Sequence, residues 1–176
     1  MEHADHVKLL EPGVPGPGGV WADLGAGTGA FTLALADLIG PTGSIYAVDR
    51  DARALGELQR AMHARFPDVS LHALAADFTG PLQLPPLDGV LMANSLHFLR
   101  RKEPVLTAVR TLLRPGGCLL LVEYNADNGN PWVPYPLAYG SWRTLATAAG
   151  FIDTRLLATV PSRFLREIYS AASRKP

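Results

Sequence analysis

The sequence predicts a doubly wound α/β domain, in which a mostly parallel sheet is covered by helices on both faces. From residue 20 onward, short strands that are apolar on both faces alternate with helical segments. This pattern is typical of parallel strands buried between two layers of helices. The last two strand segments are joined only by Pro161-Ser162-Arg163. Because so short a link cannot make a parallel crossover, we expect the last strand to run antiparallel.

Composition limits the classes of protein to consider. The 176 residues suit one domain, and their 16 basic and 16 acidic side chains cancel, so no overall field attracts nucleic acid or an anionic membrane. Cys118 is the only cysteine, which leaves no partner for an internal disulfide and fits a reducing compartment. No run approaches the ~20 apolar residues of a membrane span. We expect a cytoplasmic protein that binds neither nucleic acid nor membrane.

Residues 1–19 are predicted to be an N-terminal segment and linker, and residues 20–176 the folded domain. The stretch PGVPGPGG, residues 12–19, cannot propagate a helix. Two interpretations of the segment stay open. It is either a lid that brings His3 and His6 over the site, or a stretch that is disordered or merely packed.

The order of apolar runs, and of the prolines and glycines between them, predicts the helices and strands of the domain. Helices are expected where apolar residues recur on one face between caps and prolines; they cover residues 28–39, 52–66, 104–113 and 141–149. Asp51 is the expected N-cap of the second of these. The segment TGPLQLPPL is too rich in proline for a helix. Seven strands are expected, at residues 20–25, 43–49, 69–77, 87–96, 118–124, 151–160 and 164–173.

The stretch DLGAGTG, residues 23–29, is the most informative loop. Its three alternating glycines permit a tight turn and close approach to a ligand, beside the unpaired amides of a helix start. In an open α/β sheet, ligands bind at this end of the strands. The spacing of Gly25, Gly27 and Ala30 also satisfies the dinucleotide pattern G-x-G-x-x-G/A. The loop alone therefore leaves two classes of cofactor open.

Acidic residues at other strand ends favour one of those classes. Asp49 ends the second strand, where a carboxylate would accept hydrogen bonds from a ribose in either cofactor. Asp23, two residues before the first glycine, would repel a pyrophosphate but attract a cationic amino-acid group. Asp77 and Phe78 follow the third strand and offer an acceptor and an aromatic face to an adenine.

In this order and spacing, VWADLGAGTG, IYAVDRD, LAADF, LDGVLMANSLHFL and LLRPGGCLLLVEY resemble the motifs of class I S-adenosylmethionine-dependent methyltransferases. The resemblance implies a Rossmann-like sheet of seven strands in the order 3-2-1-4-5-7-6, with S-adenosyl-L-methionine as cofactor. It places the methionine end near Asp23 and Gly25, the ribose on Asp49, and the adenine near Asp77 and Phe78. The residues implied to contact the cofactor are Asp23, Gly25, Ala26, Gly27, Thr28, Gly29, Asp49, Arg50, Asp77, Phe78 and Asn94.

The resemblance implies in-line methyl transfer, for which positioning supplies much of the rate and a base matters when the acceptor must lose a proton. His97, just after the fourth strand, is the candidate general base. The alternative is that His97 has only a structural role and packs at the start of a helix. The proline-rich, aromatic segment at residues 123–142 suits an apolar or planar acceptor, or else covers the sheet edge. Its candidate acceptor contacts are Tyr124, Asn125, Trp132, Tyr135 and Tyr139.

The acceptor is expected to be a small molecule. NSLH after the fourth strand lacks the Asn/Asp-Pro-Pro-aromatic signature of enzymes that methylate bases, and Glu123-Tyr124-Asn125 does not match the metal-binding acids of catechol-type enzymes. The chain looks like a metal-independent enzyme similar to the quinone-biosynthesis branch. The pocket would be closed by the N-terminal segment or by a second subunit of a homodimer. The alternatives are a non-catalytic protein or partner subunit that binds S-adenosylmethionine, and an NAD-dependent oxidoreductase.

Overall fold

The computed structural model describes residues 1–162 and 164–176 of the chain. Its strands are β1 Gly19–Leu24, β2 Gly43–Asp49, β3 Ser70–Ala75, β4 Leu87–Ala93, β5 Leu113–Tyr124, β6 Ile152–Pro161 and β7 Glu167–Arg174. They form one sheet in the order β3-β2-β1-β4-β5-β7-β6. β7 pairs antiparallel with both β5 and β6, whereas the neighbouring pairs from β3 to β5 are parallel. The predicted strand order and the antiparallel last strand are confirmed.

Helices cover both faces of the sheet, as predicted. They are α1 His3–Leu10, α2 Ala30–Ile39, α3 Ala52–Arg65, α4 Glu103–Leu112 and α5 Tyr139–Ala148. Apolar side chains of α1, α2 and α3 form one buried cluster with one face of the sheet. Those of α4 and α5, including the fully buried Trp142, form a second cluster with the other face. Burial of these two apolar layers is the main favourable contribution to folding.

Helix α1 is the main element that the sequence did not indicate. It lies in the segment expected to be a linker, and its Leu9 and Leu10 are fully buried among residues of α2 and β6. Eight residues with few apolar side chains give little periodicity, and a helix this short depends on tertiary packing. The N-terminal segment is therefore packed against the same core as the rest of the domain.

Element boundaries differ from the predictions, in two cases beside a residue with a left-handed backbone conformation. The helix expected from residue 28 begins at Ala30, because Gly29 before it has a φ of 93°. The strand expected to reach residue 96 ends at Ala93, because Asn94 has a φ of 51°. The strand expected from residue 118 begins at Leu113, five residues earlier, and its pairing with β4 shifts register along the way.

Other local expectations are confirmed. Asp51 caps α3 by accepting hydrogen bonds from the backbone N–H groups of Arg53 and Ala54. The proline-rich stretch between β3 and β4 contains no helix. Of the predicted connection between β6 and β7, Arg163 lies outside the described residues. Within the described ranges, none of the helices combines the length and the apolar character needed to cross a membrane.

Candidate active site

The loop after β1 lies where the strand order of the sheet reverses. β1 is hydrogen-bonded to β2 on one side and to β4 on the other, so crossovers leave it in opposite directions. Ligands of open α/β sheets bind in the crevice at this point, outside the carboxyl ends of the strands. The predicted site residues that follow β1, β2, β4 and β5 therefore share one edge of the sheet.

The three glycines of this loop have different surroundings. All have positive φ angles: 87° at Gly25, 54° at Gly27 and 93° at Gly29. A Cβ atom at Gly25 would lie 2.4 Å from the Cβ of Ser95, and one at Gly29 would lie 2.2 Å from Cδ1 of Leu58. A Cβ at Gly27 would meet no atom within 4 Å. Packing within the protein thus explains two of the glycines, while the third faces open space that a ligand can fill.

Asp23 is a buried carboxylate with one oxygen unused. It is 1% exposed, and its Oδ2 accepts a hydrogen bond of 2.6 Å from Oγ1 of Thr32. Its Oδ1 has no hydrogen-bond partner among the described residues. Burial raises the pKa of Asp23 to about 7, and the charge of Asp49 adds to this, against the effect of the Thr32 hydrogen bond. Because an unpaired buried carboxylate is costly, this oxygen suits a cationic donor on a ligand.

Asn94 supplies a second unused acceptor at the same edge. Its Oδ1 is buried, and the part of the chain that the structure describes offers it no donor. The residue is fixed in a left-handed conformation by its position directly after β4, where its N–H donates to the carbonyl of Val122. Two unpaired acceptors beside one loop indicate a ligand that carries N–H or O–H donors.

Asp49 ties the glycine loop to the start of α3. Its Oδ2 accepts a hydrogen bond of 2.8 Å from the N–H of Gly27, and its Oδ1 accepts one of 2.9 Å from Asp51. Each carboxylate oxygen keeps a further acceptor direction, so the expected contacts to ribose hydroxyls remain available. Of the other predicted loop contacts, Ala26 is half-buried and Thr28 is exposed.

The residues predicted to hold an adenine lie beside this loop. The Phe78 ring approaches to 3.4 Å the position that a Cβ would take on Gly25. Asp77 Oδ1 accepts hydrogen bonds from the N–H and Oγ1 of Thr79, which lower the pKa of Asp77. Arg50 Nη1 lies 3.7 Å from Asp77 Oδ2, in an exposed ion pair between the ends of β2 and β3. Arg50 and Asp77 therefore lie next to each other, as two adenine contacts would.

His97 and Glu123 form a buried pair. Nδ1 of His97 lies 2.9 Å from Oε1 and 3.1 Å from Oε2 of Glu123, and the backbone N–H of His97 donates to Oε2. Oε1 also accepts a hydrogen bond from the N–H of Tyr124. The two residues are 3% and 0% exposed. A carboxylate at Nδ1 keeps the proton on that nitrogen, so Nε2 is left as the basic atom of the ring.

A cavity of about 580 Å³ lies behind Tyr124; neither His97 nor Glu123 is among the residues that line it. The His97 ring packs edge-on against the ring of Tyr124, 5.8 Å between centroids, and Tyr124 lines the cavity. The cavity lining comes from α1, the ends of β4 and β5, and the connection between β6 and β7. It consists of Met1, Glu2, Asp5, Asn94, Tyr124, Pro161, Ser162, Phe164 and Ile168.

The histidines of the N-terminal segment do not line this cavity. Nε2 of His3 lies 3.2 Å from Oδ2 of Asp37 on α2. The His6 ring packs on Phe31, 4.5 Å between centroids, and burial lowers the pKa of His6. The residues of the N-terminal segment that line the cavity are Met1, Glu2 and Asp5.

The predicted acceptor contacts separate into distinct environments. Tyr124 lines the cavity. The side-chain amide of Asn125 forms hydrogen bonds within the protein: its nitrogen donates to Glu167 and its oxygen accepts from the N–H of Tyr139. Tyr139 is half-buried with its ring against Tyr169. Neither Asn125 nor Tyr139 lines the cavity.

The remaining two aromatic candidates belong to the loop at residues 125–138. Trp132 is 71% exposed and Tyr135 is 42% exposed. The N–H of Tyr135 donates a hydrogen bond of 3.0 Å to the carbonyl of His97. The loop is thereby attached to the turn that carries the histidine, with its aromatic side chains outside the cavity.

Glu123 is the main site residue that the sequence reasoning missed. The sequence feature that could have indicated it is the position of this carboxylate directly after the apolar run CLLLV, on a strand expected to be buried. A charge in that position is rarely left buried without a partner. The cavity residues of α1 and of the connection after β6 gave no signal, because only the folded chain brings them to the site. Among residues 1–162 and 164–176, no group of three or more His, Cys, Asp or Glu side chains is arranged to hold a metal ion.

The chain is similar to known methyltransferases over most of its length. Residues 22–119 match the family model described as "Methyltransferase domain". The chain is 32% identical over 127 residues to the ubiquinone/menaquinone biosynthesis C-methyltransferase UbiE of Burkholderia mallei; the match covers 70% of the chain and 49% of that relative. It is also 32% identical over 130 residues to the hybrid PKS-NRPS synthetase lepA of Aspergillus flavus, 69% of the chain and 3% of the synthetase. The chain thus spans about half of one relative's length and a small part of the other's.

A solved structure shares the fold. The 1,6-didemethyltoxoflavin-N1-methyltransferase of Burkholderia thailandensis, with 1,6-didemethyltoxoflavin and S-adenosylhomocysteine bound, superposes with a TM-score of 0.75 and 20% identity. The match covers 98% of this chain and 77% of that enzyme.

Proposed function

Because the chain belongs to the S-adenosylmethionine-dependent methyltransferase family, we propose that it transfers the methyl group of S-adenosylmethionine to a small-molecule acceptor, with His97 as general base. The observation that carries this proposal is the buried His97–Glu123 pair, whose histidine ring packs against Tyr124 on the wall of the 580 Å³ cavity. An acid–base pair at this position favours catalysis over binding of the cofactor alone. Perturbed or buried titratable pairs in a cleft are typical of catalytic sites.

The residues at the carboxyl edge fit the cofactor. The unused Oδ1 atoms of Asp23 and Asn94 suit the amino-acid end, whose ammonium group offers the donors that they lack. Open space at Gly27 suits close approach of the ligand, and Asp49 suits the ribose. Arg50, Asp77 and Phe78 are the proposed adenine contacts. An NAD pyrophosphate would place negative charge near Asp23, which disfavours the oxidoreductase alternative.

His97 is proposed to act at Nε2. Glu123 holds the proton on Nδ1, so Nε2 takes the proton that the attacking atom of the acceptor must lose. When bound, S-adenosylmethionine supplies an electrophilic methyl group on a sulfonium, which leaves as a neutral thioether. The acceptor's electron pair forms the new bond to the methyl carbon, and the proton remains on the imidazole until it is released to solvent. Glu123 stabilises the resulting imidazolium.

The acceptor is proposed to be an apolar or planar small molecule whose attacking atom carries an acidic hydrogen. Tyr124, Phe164 and Ile168 give the cavity an apolar wall, against which a planar molecule can pack. Glu2, Asp5 and Ser162 give it a polar wall that can hold the acceptor's polar groups. A base is needed most for carbon, hydroxyl or ring N–H acceptors, and less for a free amine. The UbiE relative is named a C-methyltransferase and the toxoflavin enzyme an N1-methyltransferase, which supports carbon and ring nitrogen as the first acceptors to test.

The test is an acceptor screen with methyl-labelled S-adenosylmethionine and a panel of 1,3-dicarbonyl compounds, quinols, phenols and N-heterocycles. We expect labelled product and S-adenosylhomocysteine in equal amounts with at least one class. His97→Gln should lower kcat by about 100-fold or more while cofactor affinity stays unchanged. His72→Gln, which alters an exposed histidine on β3, is the matched control. Equal turnover in the His97 variant and the control would overturn the base assignment.

A further inference from the structure

Lys102 is a buried cation next to the proposed catalytic pair. Within the run Arg100-Arg101-Lys102, the two arginines are exposed, whereas Lys102 is only 7% exposed. Its Nζ donates hydrogen bonds to the carbonyl of Leu99 at 2.7 Å and of Tyr135 at 3.0 Å. Burying an ammonium group is costly unless its hydrogen bonds are satisfied. Lys102 is therefore part of the packed structure at the start of α4 and is not a solvated surface charge.

The two carbonyls belong to separate segments that meet over His97. Leu99 lies in the turn that carries His97, and Tyr135 lies in the loop at residues 125–138. Tyr135 also donates its N–H to the carbonyl of His97. Lys102 Nζ lies 5.9 Å from the centroid of the Tyr135 ring, within the range of a cation–π contact. Together these contacts bind the loop to the turn through one lysine and one tyrosine.

The charges around Lys102 connect it to the same pair. Burial lowers the pKa of Lys102, while the carboxylates of Glu123 on β5 and Glu103 on α4 oppose that shift. Glu123 thus has His97 in direct contact and the Lys102 ammonium within electrostatic range. The titratable side chains that contact His97 are Glu123 and Tyr124, both from β5, while Tyr135 of the loop contacts it through its backbone N–H.

We propose that Lys102 is a positioning residue for the His97–Glu123 pair: it fixes the loop at residues 125–138 over the His97 turn and balances the charge of Glu123. This inference rests on the proposed function only for its catalytic consequence. The structural coupling between Lys102, Tyr135 and His97 is measurable without an acceptor. Lys102 itself contacts neither the reacting atoms nor the cavity lining.

The test uses the full chain with its histidine rings and backbone amides isotopically labelled. In Lys102→Met, we expect the His97 ring-proton signals to move from their positions in the parent chain, because the turn that carries the ring loses its attachment to the loop. The Tyr135 amide should exchange with solvent at least about tenfold faster, because the loop loses its anchor. Arg101→Met, which removes an exposed neighbouring charge, should leave both signals as in the parent chain.

Lys102→Arg separates charge from geometry and serves if the methionine variant does not fold. It keeps the cation but replaces the ammonium group by a planar guanidinium of different donor geometry, so both signals should change less than in Lys102→Met. Unchanged His97 ring signals and Tyr135 exchange in Lys102→Met would overturn the inference, and so would equal changes in Arg101→Met. If the coupling is present but no acceptor class yields labelled product, the proposed function fails and the coupling stands; if His97→Gln transfers methyl groups at the parent rate, only the base assignment fails.

Discussion

Nδ1 of His97 lies 2.9 Å from Oε1 of Glu123, and neither side chain has appreciable contact with solvent. Three N–H groups converge on the two carboxylate oxygens: Nδ1 and the backbone N–H of His97, and the backbone N–H of Tyr124. An ionised carboxylate accepts all three, whereas a carboxamide has one accepting oxygen and two hydrogens. The charge of Glu123 is therefore required by the geometry around it.

Glu123→Gln should lower kcat for methyl transfer by about 100-fold or more, because the imidazolium loses its counter-charge and the His97 tautomer is no longer fixed. At least one N–H is left without an acceptor, which costs about 1–3 kcal/mol of stability. Initial rates at saturating cofactor, with thermal unfolding as the control for folding, check both effects. A variant with parent kcat would show that Glu123 has only a structural role.

Asp23→Asn should stabilise the free chain at pH 8. Because burial raises the pKa of Asp23 from 3.8 to about 7, the folded chain loses stability as the pH rises between those values. The loss is complete above pH 7 and amounts to at most roughly 4 kcal/mol. The uncharged variant avoids it, so its Tm at pH 8 should exceed that of the parent by about 3 °C or more. The difference should shrink toward pH 4, and exposed Asp68→Asn should show no such trend.

The affinity for S-adenosylmethionine should fall as the pH drops below about 7. The ligand's ammonium pairs with ionised Asp23, so binding at lower pH must first remove a proton from the carboxyl group. Between pH 8 and pH 6 we expect about a tenfold increase in Kd, as follows from a pKa of about 7. In Asp23→Asn the affinity should be weaker by about tenfold or more at pH 8, and flat with pH. Calorimetric titration at several pH values across this range measures the Kd. A Kd of the parent chain that does not vary with pH would contradict the proposed pairing of Asp23 with the ammonium group.

Gly27→Ala and Gly29→Ala form a matched pair. Both positions have positive φ, so each substitution carries about 1 kcal/mol of backbone strain. At Gly29 the new Cβ also meets Leu58 at 2.2 Å, whereas at Gly27 it enters open space. Gly29→Ala should therefore be strongly destabilised, while Gly27→Ala should remain folded and lose cofactor affinity. Thermal unfolding and S-adenosylhomocysteine binding check this pair, and normal binding by Gly27→Ala would show that the open space is not the cofactor cradle.

The sequence predicted the features that depend on local pattern. Alternating apolar strands and helices indicated the sheet, and the carboxylates at strand ends, such as Asp23 and Asp49, indicated a ligand edge. It did not indicate α1, whose stability comes from packing Leu9 and Leu10 onto distant elements. It also missed the pairing of His97 with Glu123, which are 26 residues apart and meet only because β4 and β5 are adjacent. The contact of Lys102 with Tyr135 was not indicated for the same reason, since the two residues are 33 positions apart in the chain.

Thermal unfolding of the chain and of Asp49→Ala, with S-adenosylmethionine, S-adenosylhomocysteine or NAD in large excess, tests the cofactor assignment most directly. A ligand at ~100 times its Kd adds about 2.7 kcal/mol, which for a chain of this size raises Tm by roughly 5–10 °C. We predict that shift with both adenosyl ligands, none with NAD, and a reduced shift in the variant, which lacks the carboxylate beside Gly27. A shift with NAD alone, or none with either adenosyl ligand, would contradict the account.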